Sequence, residues 1–306
     1  MAIRVPLKNE EFLNEVQDPV RIKTAQDRMT GVVRLMVREG SLTRKILTPE
    51  DVTPADLDLQ QDTDVPTKIV FVEPNSPAAI SVGFATTSPM FWFAAKRVRA
   101  TFSRYQSNIG SYDIELLTTW EMDIQQVFAD NMIRDILARE DGGFFAAVNE
   151  FLGPVDVENP ITGSVPHATI WGGYTRETLA EASALMLKSY YRLPPETAVC
   201  NLVTAKRLLS LDRMEVGDDM AGQLFREGVT RWRFDDLNWI FTNKLHIVPN
   251  DAIYYFANPQ AIGKFYKLTD ATSILRTEGT ILTYWAYETI SAVIANAAGL
   301  ALAKIA

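Results

Sequence analysis

Apolar residues recur at steps of three and four over one unusually long stretch, residues 118–153, where Ile124, Val127, Phe128, Ile133, Ile136, Leu137, Phe144, Val148, Phe151 and Leu152 form a single stripe. That spacing predicts an amphipathic helix with one face turned to a core. Thr118 followed by Glu121 has the capping-box spacing, in which a hydroxyl and a carboxylate satisfy amide hydrogens at a helix start, and Gly153-Pro154 supplies the stop. At about 1.5 Å per residue the helix spans on the order of 50 Å. Gly142-Gly143 predicts a kink or a weak turn within it. The acids Glu121, Asp123, Asp130, Asp135, Glu140 and Asp141 read as a solvated face rather than as a working carboxylate pair.

Upstream, residues 1–18 read as a short arm, and Pro19 opens a helical pattern over 20–37 with Ile22, Ala25, Met29, Val32, Val33 and Met36 on one stripe, ended by Gly40. The period then becomes strand-like. Residues 68–72 form a β-prone run closed by the turn cluster 73–77, and Ile80, Val82 and Phe84 alternate with small residues over 79–85; together these predict a long hairpin. Met90, Phe91, Trp92 and Phe93 follow side by side, and strand alternation sends two to each face. A second surface has to cover one of those faces, supplied by the chain's own core or by a neighbouring subunit. The run 96–104 carries Lys96, Arg97, Arg99 and Arg104, either as a charge-protected strand edge or as a contact for a phosphate backbone.

Downstream of the long helix, 155–174 reads as a loop and 175–191 as a helix with Leu179, Ala182, Leu185 and Met186 along one face. Residues 198–203 read as a short buried strand, 204–211 as a helix, 245–248 and 252–257 as strands, and the surroundings of Ile262 as a short helix. The last β-like stretch, 280–294, carries apolar residues on both faces, as a strand covered on each side does. Helices and strands intermix without a βαβ repeat, so the fold class is α+β.

Composition sharpens this picture. A chain of 306 residues with 47% hydrophobic content has enough apolar material for a sizeable core. One cysteine, Cys200, excludes an internal disulfide and fits a reducing compartment. Arg4, Lys8, Glu10 and Glu11 break up the apolar runs expected of a signal peptide, and no stretch approaches the ~20 apolar residues that span a bilayer, so no membrane partner is expected. The net charge of -8 argues against a surface given over to gripping nucleic acid. Charge is segregated near the N-terminus: residues 19–48 hold Arg21, Lys23, Arg28, Arg34, Arg38, Arg44 and Lys45 against Asp27 and Glu39, whereas 49–64 hold Glu50, Asp51, Asp56, Asp58, Asp62 and Asp64 with no Lys or Arg. The blocks pair within a chain, pair between chains, or form two solvated faces, and exposed pairs contribute only about 0–1 kcal/mol.

Catalytic chemistry has little material. His167 and His246 are the only histidines; Cys200 lies in an apolar strand and reads as an inert thiol, and His246 as a structural imidazole. Phosphate-loop, dinucleotide, nucleophile-elbow and EF-hand spacings are absent from the sequence. No catalytic, cofactor or metal residue is assigned, and no cofactor is expected.

The order of elements, arm, two-stranded excursion, beam helix, then mixed globular part, resembles the major capsid proteins of tailed phages, the family with the Hong-Kong-97-type fold. The resemblance is carried by the run Arg97 to Phe102 through Glu115-Leu116 to Asp123-Ile124, which looks like the entry to that family's spine helix, and by Asp135-Ile136 and Glu140-Asp141 further along it. Pro194-Pro195 with 199–203 is similar to the crossing into the axial domain, Thr242 to Pro249 to a strand there, and Gly263 to Tyr266 with Tyr287 to Ile290 to the return into the peripheral domain.

The resemblance implies an N-terminal arm and helix at 1–40, an E-loop and its base at 41–95, a P-domain with the spine helix at 96–194, an A-domain at 195–262 and returning P-domain strands at 263–306. It implies a non-enzymatic subunit forming hexamers and pentamers in an icosahedral shell around double-stranded DNA. The expected partners are a separate scaffolding protein, since no long scaffolding segment precedes the arm, and a portal, with a decoration protein left open; the expected place is the virion, after assembly in the host cytoplasm. Phe91, Trp92, Phe93, Arg97, Arg99, Arg34, Arg38, Asp56 and Asp58 are the candidate intersubunit contacts. An encapsulin-like nanocompartment shares the fold and stays open as an alternative, as does an α+β enzyme with an unrecognised site.

Overall fold

The computed structural model describes residues 5–58, 65–72, 84, 96–152, 167–187, 193–208, 232–234 and 237–305. The expected beam is there: helix α5 runs over Ile124–Leu152, and its 29 residues make it about 43 Å long. It starts later than the Thr118 capping box predicts, because Ile114–Leu117 forms a separate short helix, α4, and Thr118 ends that one. Asp123 receives the Gln126 amide, and Asn9 receives the Ile124 amide from 115 positions away. A tertiary partner thus supplies half of the cap. The helix also continues through Gly142 and Gly143. Buried residues on both sides, Glu140, Asp141, Phe144 and Phe145, anchor it there and override the poor local propensity of glycine.

The reading of 1–18 as an arm changes as well. Val5–Gln17 is a helix, α1, and Phe12, Leu13 and Val16 are buried. Helix α2, Ile22–Gly40, buries Ala25, Met29, Val33 and Val37, while Val32 faces out. These two helices and the first half of α5 share a core with Leu275, Leu282, Tyr284 and Ala286. Within it Phe128 stacks on Tyr284 at 4.0 Å between ring centroids, and Tyr112 stacks on both.

Those partners belong to the first sheet. Its backbone is a long hairpin, β11 (Gly263–Glu278) and β12 (Ile281–Ile294). Gly279 turns it at φ +61°, a conformation that side chains other than glycine rarely adopt. At the far end Gly263 lies so close to β12 that a Cβ would sit 1.9 Å from the Val293 carbonyl oxygen. Strand β1 (Pro49–Asp51) joins β11 in parallel; β4 (Ser103–Gln106) and β5 (Gly110–Asp113) join β12 antiparallel. Burial along β12 alternates, so only one face is fully covered, where the sequence suggested cover on both. A two-stranded ribbon pairs β2 (Thr67–Val72) with β3 (Lys96–Thr101), so the described partner of 68–72 is 96–100; residues 79–83 and 85 of the expected partner lie outside the described residues.

The second sheet has six strands in the order β6 (His167–Ile170), β13 (Leu300–Ile305), β10 (Ala252–Phe256), β7 (Thr197–Asn201), β9 (Leu237–Thr242) and β8 (Trp232–Phe234). β7 and β10 are buried at every position. Helices α6 (Arg176–Ala184) and α7 (Leu202–Leu208) and the second half of α5 pack in the same core through Leu179, Ala205, Phe144, Phe145 and Val148. Residues 245–248 are a turn rather than the expected strand, and His246 is exposed on it. The short helix α8, Pro259–Ile262, is capped by Asn258 and links the two sheets along the chain.

Candidate functional site: a buried charge junction

Sequence reasoning placed Glu140 and Asp141 on a solvated face; both are fully buried. Continuing the stripe from Ile133, Ile136 and Leu137 by steps of three and four leads to 140, 141, 144 and 145, so the two acids occupy core positions of α5. They meet the chain just past α2. The amides of Leu42 and Thr43 each donate to Asp141 Oδ1 at 3.0 Å, and the Thr43 hydroxyl donates to it at 2.9 Å. The Ser41 hydroxyl donates to Glu140 at 2.6 Å. Asp141 therefore accepts the first amides at the N-terminus of the one-turn helix α3, Thr43–Ile46, while the Ser41 hydroxyl accepts the Arg44 amide at 3.1 Å and is itself held by Glu140.

Cations complete the junction. Lys244, from the turn after β9, donates to Asp141 Oδ2 and, at 3.2 Å, to the Gly40 carbonyl. The Arg44 side chain, 4% exposed, reaches Glu140 through Nε and Nη2 at 3.0 Å each and Glu288 of β12 through Nη2 at 2.5 Å. Its Nη1 lies 3.9 Å from Asp270 of β11, and its plane sits over the Phe265 ring at 5.6 Å. One cluster thus ties the post-α2 segment, α5, both long strands and the second-sheet region together.

Burial shapes the titration of these groups. Desolvation acts to lower the Arg44 guanidinium, but Glu140 and Glu288 more than offset it, and it lies above the ordinary arginine value. Desolvation first, and then the charge of Glu140, push Glu288 up to about 8 against the opposing pull of Arg44. The Tyr105 hydroxyl is raised by burial and by both glutamates. Cys200 is buried and its thiol is pushed up to about 12 by desolvation, which agrees with an inert thiol. Among the described residues no group of His, Cys, Asp and Glu has metal-binding geometry. No helix among them is long and apolar enough to cross a membrane.

The candidate contacts are distributed over the first sheet and the ribbon. Arg34 is half-exposed and donates to the Ala271 carbonyl at 2.8 Å; Arg38 is exposed at the end of α2. Asp56 caps the short 3-10 turn Pro54–Asp56 with Thr53, which lowers its carboxyl, and Asp58 accepts the Ile69 amide at 2.5 Å. Arg97 and Arg99 are exposed on β3, opposite Phe71 and Ile69. Phe91, Trp92 and Phe93 lie outside the described residues. Several members of the two charge blocks have partners outside the opposite block: Glu50 meets Lys264, Asp51 meets Lys267 at 3.0 Å, and Arg28 meets Glu15 at 3.0 Å.

No protein-family model matches the sequence, and no curated protein matches it. Solved structures do match. The capsid of a native GTA particle superposes with a TM-score of 0.56 at 15% identity, over 86% of this chain and 89% of that one. The virus-like particle from Pyrococcus furiosus gives 0.54 at 12% identity over 90% and 98%, and the mature capsid of bacteriophage PhiM1 gives 0.54 at 8% identity over 87% and 87%. The chain therefore has the Hong-Kong-97-type α+β fold of tailed-phage capsid proteins.

Proposed function

We propose that this chain is the major capsid protein of a tailed phage, a structural subunit without enzymatic activity that self-assembles as hexamers and pentamers into an icosahedral shell around double-stranded DNA. The observation that carries this reading is coverage: the likeness to phage capsid chains extends over 86–87% of this chain and a similar share of theirs, so the whole subunit architecture is shared rather than one module. In this reading residues 96–194 and 263–306, with α5 as spine, form the P-domain, 195–262 the A-domain, 41–95 the E-loop and its base, and 1–40 an arm that folds as two helices on the P-domain. Arg34, Arg38, Arg97, Arg99, Asp56 and Asp58, with Phe91, Trp92 and Phe93, contact neighbouring subunits. A scaffolding protein and a portal are its partners, and its place is the virion, after assembly in the host cytoplasm. The net charge of -8 suits a wall that holds DNA without gripping it.

The nanocompartment reading is favoured by one observation, the coverage of 98% of the Pyrococcus furiosus particle's chain. Expressing the chain alone and sizing it by light scattering and negative-stain microscopy separates the two. Rings, tubes or polymorphic shells that become uniform with a co-expressed scaffolding protein are expected of the capsid subunit. Uniform small shells without any helper establish the nanocompartment. A monomer or dimer that stays so with the scaffolding protein overturns both.

A further inference from the structure

Charge does not balance inside the junction when every group is ionised. Asp141 and Lys244 offset each other, but the buried Arg44 guanidinium faces two carboxylates, Glu140 and Glu288, whose side chains are 1% and 0% exposed. Both carboxylates reach the same atom, Nη2, so their oxygens crowd around one nitrogen. Two like charges so placed, out of water and with one cation between them, favour uptake of a proton.

Among the described residues no cation other than Arg44 forms an ion pair with Glu140 or Glu288. Asp270 of β11 approaches Arg44 and adds negative charge, and its own partner is Lys267 at 3.1 Å. Tyr105 of β4 is neutral, with Arg139 of α5 acting on it. Glu288 Oε1 is buried with no hydrogen-bond partner among the described residues, a costly state for an ionised oxygen and a tolerable one for a carboxyl that carries its proton.

We propose that Glu288 holds a proton while residues 41–46 are seated on α5, and that its loss loosens this segment, making the junction a clasp that opens as pH rises. The proposal rests on the fold of one chain and not on the shell reading. The upward shift of Glu288 to about 8, caused by burial and then by Glu140, sets the window. In the seated form the proton is kept up to about pH 8; in an open, solvated form it leaves near the ordinary carboxylate value of about 4.5. Between those limits the seated form binds one more proton than the open form, so its advantage shrinks as pH rises and is constant above about 8.

Trypsin reads the clasp directly, because cleavage after Arg44 requires that buried side chain to leave its carboxylates. The full chain, held in one assembly state checked by light scattering, is digested between pH 6 and 9, and cutting at Arg44 is normalised to an unstructured reference peptide. When opening is fast relative to cleavage, the rate follows the open population. The expected result is a rise of about tenfold per pH unit to about pH 8, then a plateau, in the wild type. In E288Q, and in E140Q, where one carboxylate is left for one guanidinium, the normalised rate is flat. A flat wild type, or an equal rise in the variants, overturns the proposal. If neither variant folds, calorimetric unfolding of the wild type near pH 6.5 in buffers of different ionisation enthalpy decides it: about one proton released supports the clasp, and none overturns it.

Discussion

In the six-stranded sheet β7 and β10 are buried at every position, whereas along β12 of the five-stranded sheet Leu282, Tyr284, Ala286, Glu288 and Ile290 point inward and Thr283, Trp285, Tyr287 and Thr289 are half-covered. The more complete core therefore belongs to the shorter-stranded, six-stranded sheet, closed by helices and by the second half of α5. The longer-stranded sheet is covered unequally: helices α1, α2 and α5 cover one face, while on the other Arg104 lies over the Tyr287 ring at 4.0 Å and a smaller cluster buries Tyr266 and Val293 against Val52, Val70, Ala100 and Phe102. The two regions also differ in what joins the chain across them. Apolar contact fills the six-stranded sheet and reaches Phe265, Ile290 and Ile294 of the long hairpin, and ion pairs and hydrogen bonds are added at the boundary between the two.

The largest break in this contrast is expected from Phe256→Ala in β10, whose ring packs against both Phe144 and Phe145 of α5. A loss of about 3–5 kcal/mol, independent of pH, should appear in denaturant unfolding. Arg44→Met tests the polar boundary instead. It leaves two buried carboxylates without their cation and should cost about 3 kcal/mol near pH 8. That cost should shrink at pH 5, well below the value of about 8 to which Glu288 is raised, because this carboxyl is then protonated, so unfolding at the two pH values distinguishes it from the core variant. Thr175→Ala removes the hydroxyl that accepts the Thr178 amide at the start of α6, and about 1 kcal/mol should be lost in the same assay. Thr283→Ala, on the half-covered face of β12, should change stability by less than about 0.5 kcal/mol. A cost as large as that of the β10 variant would mean the two sheets are not buried differently after all.

The sequence made the apolar periodicities of α2, α5, β7, β10 and β12 readable, and with them the order of elements on which the family resemblance rests. Of the strands that periodicity did not show, two escaped for opposite reasons, although the resemblance implied returning strands over 263–306. β11 carries Lys264, Lys267, Thr269, Asp270, Thr272 and Ser273, and its pairing with β12 shifts register twice, so no clean alternation survives. β13 is built largely from alanine and leucine, residues with more helix than strand preference, and forms a strand because β10 and β6 flank it. The junction was hidden differently. Glu140 and Asp141 sit in phase with the stripe, a signal that was present, but the partners that make burial of acids tolerable lie about a hundred positions away or more. Charge composition suggested pairing between the blocks at 19–48 and 49–64; the actual partners of Glu50 and Asp51 are on β11.

Arg44 and Glu288 are 244 positions apart. During synthesis Arg44 leaves the ribosome long before β12 exists, and α5 with its buried acids appears in between. At about 5–20 residues per second, tens of seconds or less separate the two halves, time in which Glu140 and Arg44 can meet while the third member is missing. The hairpin of β11 and β12 is thus the step that closes the boundary between the sheets, and a nascent subunit carries an unfinished seam until that hairpin docks. Chaperone dependence during translation should accordingly concentrate in chains that have passed α5 but have not yet reached β12.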